Sequence, residues 1–217
     1  IAIQSAICLA TVVVGIVISM QTRKMTDYPV GYNTHNIISV MGDDYKKYIG
    51  ELSQMHFVEK VGIASNSFVR YVYPQELKGV NWVPLRMDQN AFDMLGIKVK
   101  EYLELSGVSL QNAYTTEKGL QLAASLNMSA WENKYIGILE DVHFGSVKEI
   151  SSENTIFDIV IKDDYSQYFR GNILIKVSGD QDEAKEHIRK FFVEKGEDTP
   201  QLTIQTLEEA NLMNYEE

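Results

Sequence analysis

The stretch that decides the fold runs from Asn36 to Ala64 and reads NIISVMGDDYKKYIGELSQMHFVEKVGIA. Its first six residues, Asn36–Met41, are the apolar run of a short strand, and Gly42 and the two aspartates after it break that strand. A helical spacing of apolar side chains follows, and Phe57–Ala64 is typical of a second strand. The apolar positions of the helix are Tyr45, Tyr48, Ile49, Leu52 and Met55. This order predicts a compact strand-helix-strand unit whose two strands share one sheet.

The same order of elements returns near the other end of the chain. Asn172–Ser178 (NILIKVS) alternates apolar and polar residues and is predicted to be a half-buried strand. Asp180 is the expected N-cap of a helix that runs to Lys195, with the apolar stripe Ala184, Ile188, Phe191 and Phe192. A closing strand follows at Gln201–Gln205. Two such units at opposite ends predict an α+β fold, in which a split βαβ, ferredoxin-like sheet is built from both ends and the middle is inserted.

The middle of the chain mixes short helices and strands. Gln89–Leu95 is predicted to be a helix that ends at Gly96, and a second helix starts at Thr115 or Thr116 and runs to about Leu126. Strands are expected at Tyr135–Phe144 and Thr155–Ile161, and the segment Thr206–Glu209 carries the signature of a capping box that opens a last short helix.

The first twenty residues, IAIQSAICLATVVVGIVISM, contain no charged residue and no proline. Twenty helical residues extend roughly 30 Å, which is the thickness of the hydrocarbon core of a bilayer. A buried core helix and a secretory signal are the alternatives, but a core helix is rarely apolar on every face. Residues 1–22 are therefore predicted to be a transmembrane helix that tethers the rest of the chain.

Charge and cysteine content exclude several classes of function. The formal net charge of −10 argues against a nucleic-acid or anionic-membrane partner, since both need clustered lysine and arginine. The single cysteine, Cys8, lies in the apolar stretch, so the rest of the chain has no disulfide and no thiolate metal site. Arg23 and Lys24 follow the span and favour a cytoplasmic location for that end, although long domains translocate largely regardless of charge.

No pattern of catalytic or cofactor-binding residues stands out. Asp141, His143 and Ser146 lie close together and invite the hypothesis of a catalytic triad, but no nucleophile elbow or glycine-rich oxyanion turn accompanies them. The four histidines lack metal-ligand spacing, and no phosphate-binding loop is present in the sequence. We therefore expect no cofactor and no metal.

Aromatic residues are dense between residues 68 and 82, beside two prolines. The residues concerned are Phe68, Tyr71, Tyr73 and Trp82. They suit either a surface that docks a partner protein or the core of this segment, and the sequence leaves both interpretations open.

Four stretches of the chain resemble the MacB-like periplasmic core domain of FtsX-like ABC-transporter permeases, particularly those of Bacteroides-like bacteria. They are IVISMQTRKMTDYPVGYNTHNIISV, ELSQMHFVEKVGIAS, QNAFDMLGIKV and YIGILEDVHFGSVKE. The last is similar to the family pattern vvGVvkDFHfgSLhe and matches it at Gly137, Asp141, His143, Phe144, Ser146 and Glu149. These family-motif residues are expected to be structural.

The resemblance implies a two-part domain outside the membrane. A Porter subdomain would consist of residues 27–64 and 153–217, and an inserted Sabre subdomain of residues 65–152. Such permeases sit in the bacterial inner membrane, so residues from about 25 onward would lie in the periplasm. They form dimers, pair with a separate cytoplasmic ABC ATPase, and have a periplasmic adaptor or an outer-membrane channel as a further partner. The domain transmits ATP-driven conformational change for export of a substrate and is not itself an enzyme.

Two other functions remain open from the sequence. One is an FtsX-like regulatory module that binds and activates a periplasmic cell-wall hydrolase. The other is a membrane-anchored enzyme that uses Asp141 and His143.

Overall fold

The computed structural model describes residues 10–20, 30–42, 45–65, 75–77, 80–103, 112–125, 135–140, 142, 155–162, 171–197, 200 and 202–213. The chain divides into two compact units, Ile1–Val30 and Gly31–Glu217. In the first unit, residues 10–20 form helix α1, and valine and isoleucine side chains all along it are exposed. Of the helices in the described ranges, none combines the length and the apolar character needed to cross a membrane. The transmembrane helix over residues 1–22 stays a prediction.

The second unit contains the remaining elements. Its strands are β1 (Ile37–Met41), β2 (Val58–Ser65), β3 (Gln75–Leu77), β4 (Val80–Met87), β5 (Val99–Tyr102), β6 (Asn112–Thr116), β7 (Tyr135–Leu139), β8 (Thr155–Ile161), β9 (Gly171–Val177) and β10 (Thr203–Thr206). Its helices are α2 (Ile49–Leu52), which follows a 3₁₀ turn at Tyr45–Tyr48, α3 (Gln89–Leu95), α4 (Glu117–Ser125), α5 (Gln181–Glu194) and α6 (Leu207–Met213).

Within the described ranges, the strands join in one mixed sheet in the order β10-β1-β9-β2-β4-β8-β6-β7-β5, with β3 beside β4. The first four strands in this order are antiparallel to their neighbours, and the two strand-helix-strand units interleave in them. One face packs on α2 and α5 through a core that includes Ile38, Ile173, Ile188 and Phe192. The prediction of an α+β fold is confirmed.

The opposite face of β1 and β9 is also covered. Ile37 and Leu174 belong to a second core cluster, which α3 joins through Leu95 and α6 joins through Leu207. Strand β9 was predicted to be half-buried, and this was wrong: Asn172 and Leu174 on one face and Ile173 and Ile175 on the other are all buried, so both faces are covered. The prediction of an exposed face depended on the polar residue Lys176 alone. The helices that cover this face come from distant parts of the sequence, so the local pattern carried no sign of them.

Strand β8 lies between β4, to which it is parallel, and β6, to which it is antiparallel. The boundary predicted near residue 153 assigned this strand to the end-built part of the domain, and it stays a prediction; the two neighbours of β8 belong to the middle segment. The seven residues TIFDIVI are mostly apolar, and a strand of this kind is stable when it has neighbours on both sides. The helix α3 has the predicted bounds, with Asp88 as N-cap and Gly96 in the left-handed conformation.

Candidate functional site

Strands β1 and β10 are neighbours and antiparallel, with Ile38 opposite Thr206 and Met41 opposite Thr203. Antiparallel pairing places the start of β1 beside the end of β10. Residues 31–36, which we call the incoming segment, therefore lie at the same end of the sheet as α6. We call the contact between the incoming segment and α6 the junction.

The sequence Thr206-Leu-Glu-Glu209 fixes the start of α6. The Glu209 backbone N–H donates to Thr206 Oγ1 at 3.0 Å, and the Thr206 N–H donates to Glu209 Oε2 at 2.6 Å, which is the reciprocal capping box predicted from the sequence. The other carboxylate oxygen of Glu209 accepts from Lys185 Nζ of α5 at 2.7 Å. This ties α6 to α5 as well as to the sheet.

The charged forms of Glu209 and Lys185 stabilise each other at this cap. Burial acts to raise the pKa of Glu209, but the Lys185 ammonium and the Thr206 N–H together outweigh burial and hold that pKa below its usual value. The pKa of Lys185 is raised by its hydrogen bonds to Glu209 and Asp182. The cap therefore stays ionised at neutral pH.

Two side-chain contacts cross the junction. Tyr32 Oη donates to Asn211 Oδ1 at 3.1 Å, and His35 Nδ1 lies 2.5 Å from Glu208 Oε1. The Glu208 oxygen is shielded from solvent and has no aligned hydrogen bond, so its contact with His35 is a close approach of the two side chains. Helix α6 also buries Leu207 completely in the second core cluster, against which Tyr32 packs.

The junction connects two parts of the domain that are far apart in the sequence. Across the described ranges, no three histidine, cysteine, aspartate or glutamate side chains are grouped so that they could hold a metal ion. The junction instead fastens two segments that are about 170 residues apart in the chain, through a strand ladder, a hydrogen bond and a shared core.

Of the four predicted docking residues, only Trp82 lies among the described residues; Phe68, Tyr71 and Tyr73 lie outside them. The Trp82 ring is half-buried and packs against Ala123 of α4. Its indole N–H donates to Asp158 Oδ2 at 2.7 Å, and Tyr135 Oη donates to the other carboxylate oxygen at 2.8 Å. Asp158 is fully buried, so the polar edge of Trp82 faces the interior. Docking through these aromatics stays a prediction.

Burial of Tyr135, and then the charge of Asp158, raise the pKa of this phenol well above its usual range. The tyrosine therefore remains a hydrogen-bond donor to the carboxylate at every ordinary pH. The two donors come from β4 and β7, and they meet on the carboxylate of β8 beneath α4. The cluster joins β8 to two strands of the middle segment.

Among the family-motif residues, Gly137 lies in β7, whereas Asp141, His143, Phe144 and Ser146 lie outside the described residues. A Cβ at Gly137 would lie 3.0 Å from the Glu101 carbonyl oxygen and 3.0 Å from the Tyr114 ring. Strands β5 and β6 therefore approach the backbone of Gly137 closely, and the structural role of the family-motif residues stays a prediction.

No protein-family model matches the chain, and no curated protein matches it. Several solved structures do, and three of them are described here. The periplasmic region of MacB from Actinobacillus actinomycetemcomitans matches with a TM-score of 0.46 and 13% identity, over 89% of this chain and 99% of that one. The extracellular domain of the noncanonic ABC-type transporter YknZ from Gram-positive bacteria matches with a TM-score of 0.47 and 14% identity, over 79% of this chain and 100% of that one. A domain of a protein described as a permease from Porphyromonas gingivalis matches with a TM-score of 0.43 and 10% identity, over 81% of this chain and 92% of that one.

These structures and the sequence resemblance name the same class of proteins. The resemblance to MacB-like periplasmic domains is confirmed to that extent.

Sequence reasoning missed the junction itself. It assigned no contact to the residues just before β1, and to the glutamates of α6 it assigned only the capping box. The residues that form the contacts, Tyr32, His35, Glu208 and Asn211, have no periodicity that links them. The available signal was the predicted split sheet, because that topology places the first and last strands side by side.

Proposed function

We propose that this chain is the extracytoplasmic domain of an ABC-transporter permease, and that it passes ATP-driven motion of the membrane segments to the export of a substrate. The domain is a mechanical element with no chemistry of its own, and ATP hydrolysis belongs to a separate cytoplasmic ATPase. Helix α1 belongs to the membrane span over residues 1–22, and residues from about 25 onward lie in the periplasm.

One observation carries the proposal: β1 and β10 are paired, and the junction fastens the incoming segment to α6. A domain inserted between two membrane segments needs its two connections close together. It also needs those connections coupled, so that a relative movement of the membrane segments reaches the domain. The exposed apolar side chains along α1 support the membrane end of this proposal.

We infer that the domain has two parts of the Porter and Sabre kind. The interleaved strands β10-β1-β9-β2 with α2 and α5 correspond to the first, and the strands from β4 to β5 in the sheet order correspond to the second. The two parts meet where β2 pairs with β4. In this division β8 belongs to the second part. A periplasmic adaptor or an outer-membrane channel would be the partner of the second part, and a second permease subunit would complete the dimer.

The test begins with the tagged full-length protein purified from native membranes. Co-purification of an ABC ATPase is expected. Co-purification of a cell-wall hydrolase in addition would favour the alternative, an FtsX-like activating module, over export. Absence of any ATPase would contradict both.

Hydrogen exchange of the purified complex then tests the coupling. We expect ATP to change the amide protection of the incoming segment and of α6 together, because the junction joins them. Tyr32→Phe, which removes the hydrogen bond to Asn211, is expected to make the two responses unequal. Protection that is identical with and without ATP at both segments would refute a transmitting role.

A further inference from the structure

Helix α3 contacts three parts of the domain. At its C-terminal end, the backbone N–H of Asn33 in the incoming segment donates to the Leu95 carbonyl at 2.7 Å. On its middle, the Phe92 ring stacks on Tyr114 of β6, with ring centroids 5.1 Å apart and planes 19° apart. The helix also lies on β2, where Lys60 Nζ contacts Asp93 Oδ2 at 2.9 Å. One short helix thus contacts the junction, the interleaved strands and the middle strands.

The strand ladder offers only a narrow alternative connection between the two parts of the sheet. In the described ranges, the β2–β4 ladder has a single residue pair, Ala64 opposite Met87. Two further hydrogen bonds support it, from the Asp88 N–H to the Ile63 carbonyl and from the Arg86 N–H to Ser65 Oγ. Because this ladder has one residue pair, packing across it adds to the connection between the two parts.

Gly62 allows α3 to pack across this join. A Cβ at Gly62 would lie 2.5 Å from the Ala91 nitrogen and 2.9 Å from Ala91 Cα, so the backbone of α3 rests directly on the backbone of β2. Every other residue would push the helix away. The Asp88 side chain, which accepts from the Ala91 N–H at 2.7 Å, holds the first turn of α3 at this place.

We propose that α3 is a strut, a helix that transmits displacement of the incoming segment to the middle strands. It packs on the backbone of Gly62 and is hydrogen-bonded to Asn33 of the incoming segment. This inference rests on the proposed function and names the route that the motion takes. A pull on residues 31–36 acts on Leu95, α3 moves as a rigid rod on Gly62, and Phe92 carries the movement to β6. The helix is short enough for a shift at one end to appear at the other.

Hydrogen exchange of the full chain without nucleotide tests the strut separately from the permease function. In Gly62→Ala, the Cβ is expected to displace the N-terminal turn of α3 and thereby weaken the Asn33 bond at the far end. We expect the Asn33 amide to exchange about tenfold faster, the factor that corresponds to roughly 1.4 kcal/mol. The amides of β9 should be unchanged, since the fold of the interleaved strands does not depend on α3 alone.

Gly50→Ala is the matched control, because a Cβ at Gly50 meets nothing within 4 Å. It should leave Asn33 unchanged. If Gly62→Ala unfolds the whole domain, amide exchange in β9 rises as well. Phe92→Leu is then the test variant, because it keeps an apolar side chain but removes the stack on Tyr114. Faster exchange at Asn33 with β9 unchanged supports the strut. Unchanged exchange at Asn33 in a folded variant overturns it, whether or not the complex responds to ATP.

Discussion

At the scale of single residues, Trp82 illustrates how a buried acceptor changes the interpretation of an aromatic side chain. Its indole N–H is bound to the fully buried Asp158, and its ring packs against α4. We expect Trp82→Phe, which keeps the aromatic ring, to lower the free energy of unfolding by about 1–3 kcal/mol, because the carboxylate loses a donor. Urea titration measures this. Normal stability together with loss of partner capture would instead support docking.

Tyr135 predicts a dependence of stability on alkaline pH. Burial and the Asp158 carboxylate raise the pKa of the folded phenol, while in the unfolded chain it ionises near pH 10. Its stabilising contribution is therefore complete below about pH 10 and declines as the pH rises further, because only the unfolded state releases the proton. We expect the free energy of unfolding to fall less between about pH 9 and about pH 11 in Tyr135→Phe than in the wild type. An equal fall in both proteins would count against this coupling.

At the scale of elements, the N-cap of α5 is the clearest local determinant. Asp180 accepts from the backbone N–H groups of Asp182 and Glu183 at 2.8 Å and 2.9 Å. Asp180→Ala should destabilise the domain by roughly 0.5–2 kcal/mol, whereas Asp180→Asn should retain most of the cap. Thermal unfolding of both variants checks this, and a loss of equal size in both would show that the charge matters more than the cap.

Elements with strong local signals were predicted well from the sequence. The helix α3 and the strand β8 have the expected bounds, and the capping box of α6 is present. Errors arose where distant elements decide the outcome. The helix after β1 is shorter than expected: a 3₁₀ turn precedes α2, which ends at Leu52. The apolar spacing of that stretch correctly predicted a helical segment, but the spacing does not determine where the helix begins and ends.

At the scale of the whole molecule, the interleaved order of the first and last strands followed from finding the same strand-helix-strand order twice. The candidate site did not follow in the same way. The junction depends on Tyr32 meeting Asn211, and the strut depends on Asn33 meeting Leu95. Such pairs arise from the course of the chain in space, and a single sequence carries no signal for them.

The central claim, that this domain lies outside the cytoplasmic membrane, is tested most directly by labelling a surface cysteine in cells. Cys8 is the only cysteine of this sequence, so Cys8→Ser, together with replacement of any cysteine elsewhere in the full-length protein, provides the background. Tyr102 is 71% exposed and suits substitution by cysteine, whereas Ala184, at 3%, provides a buried control. With the inner membrane intact, a membrane-impermeant maleimide should label Tyr102→Cys and leave Ala184→Cys unlabelled until the protein is denatured. Labelling of Tyr102→Cys only after the inner membrane is broken would contradict the account.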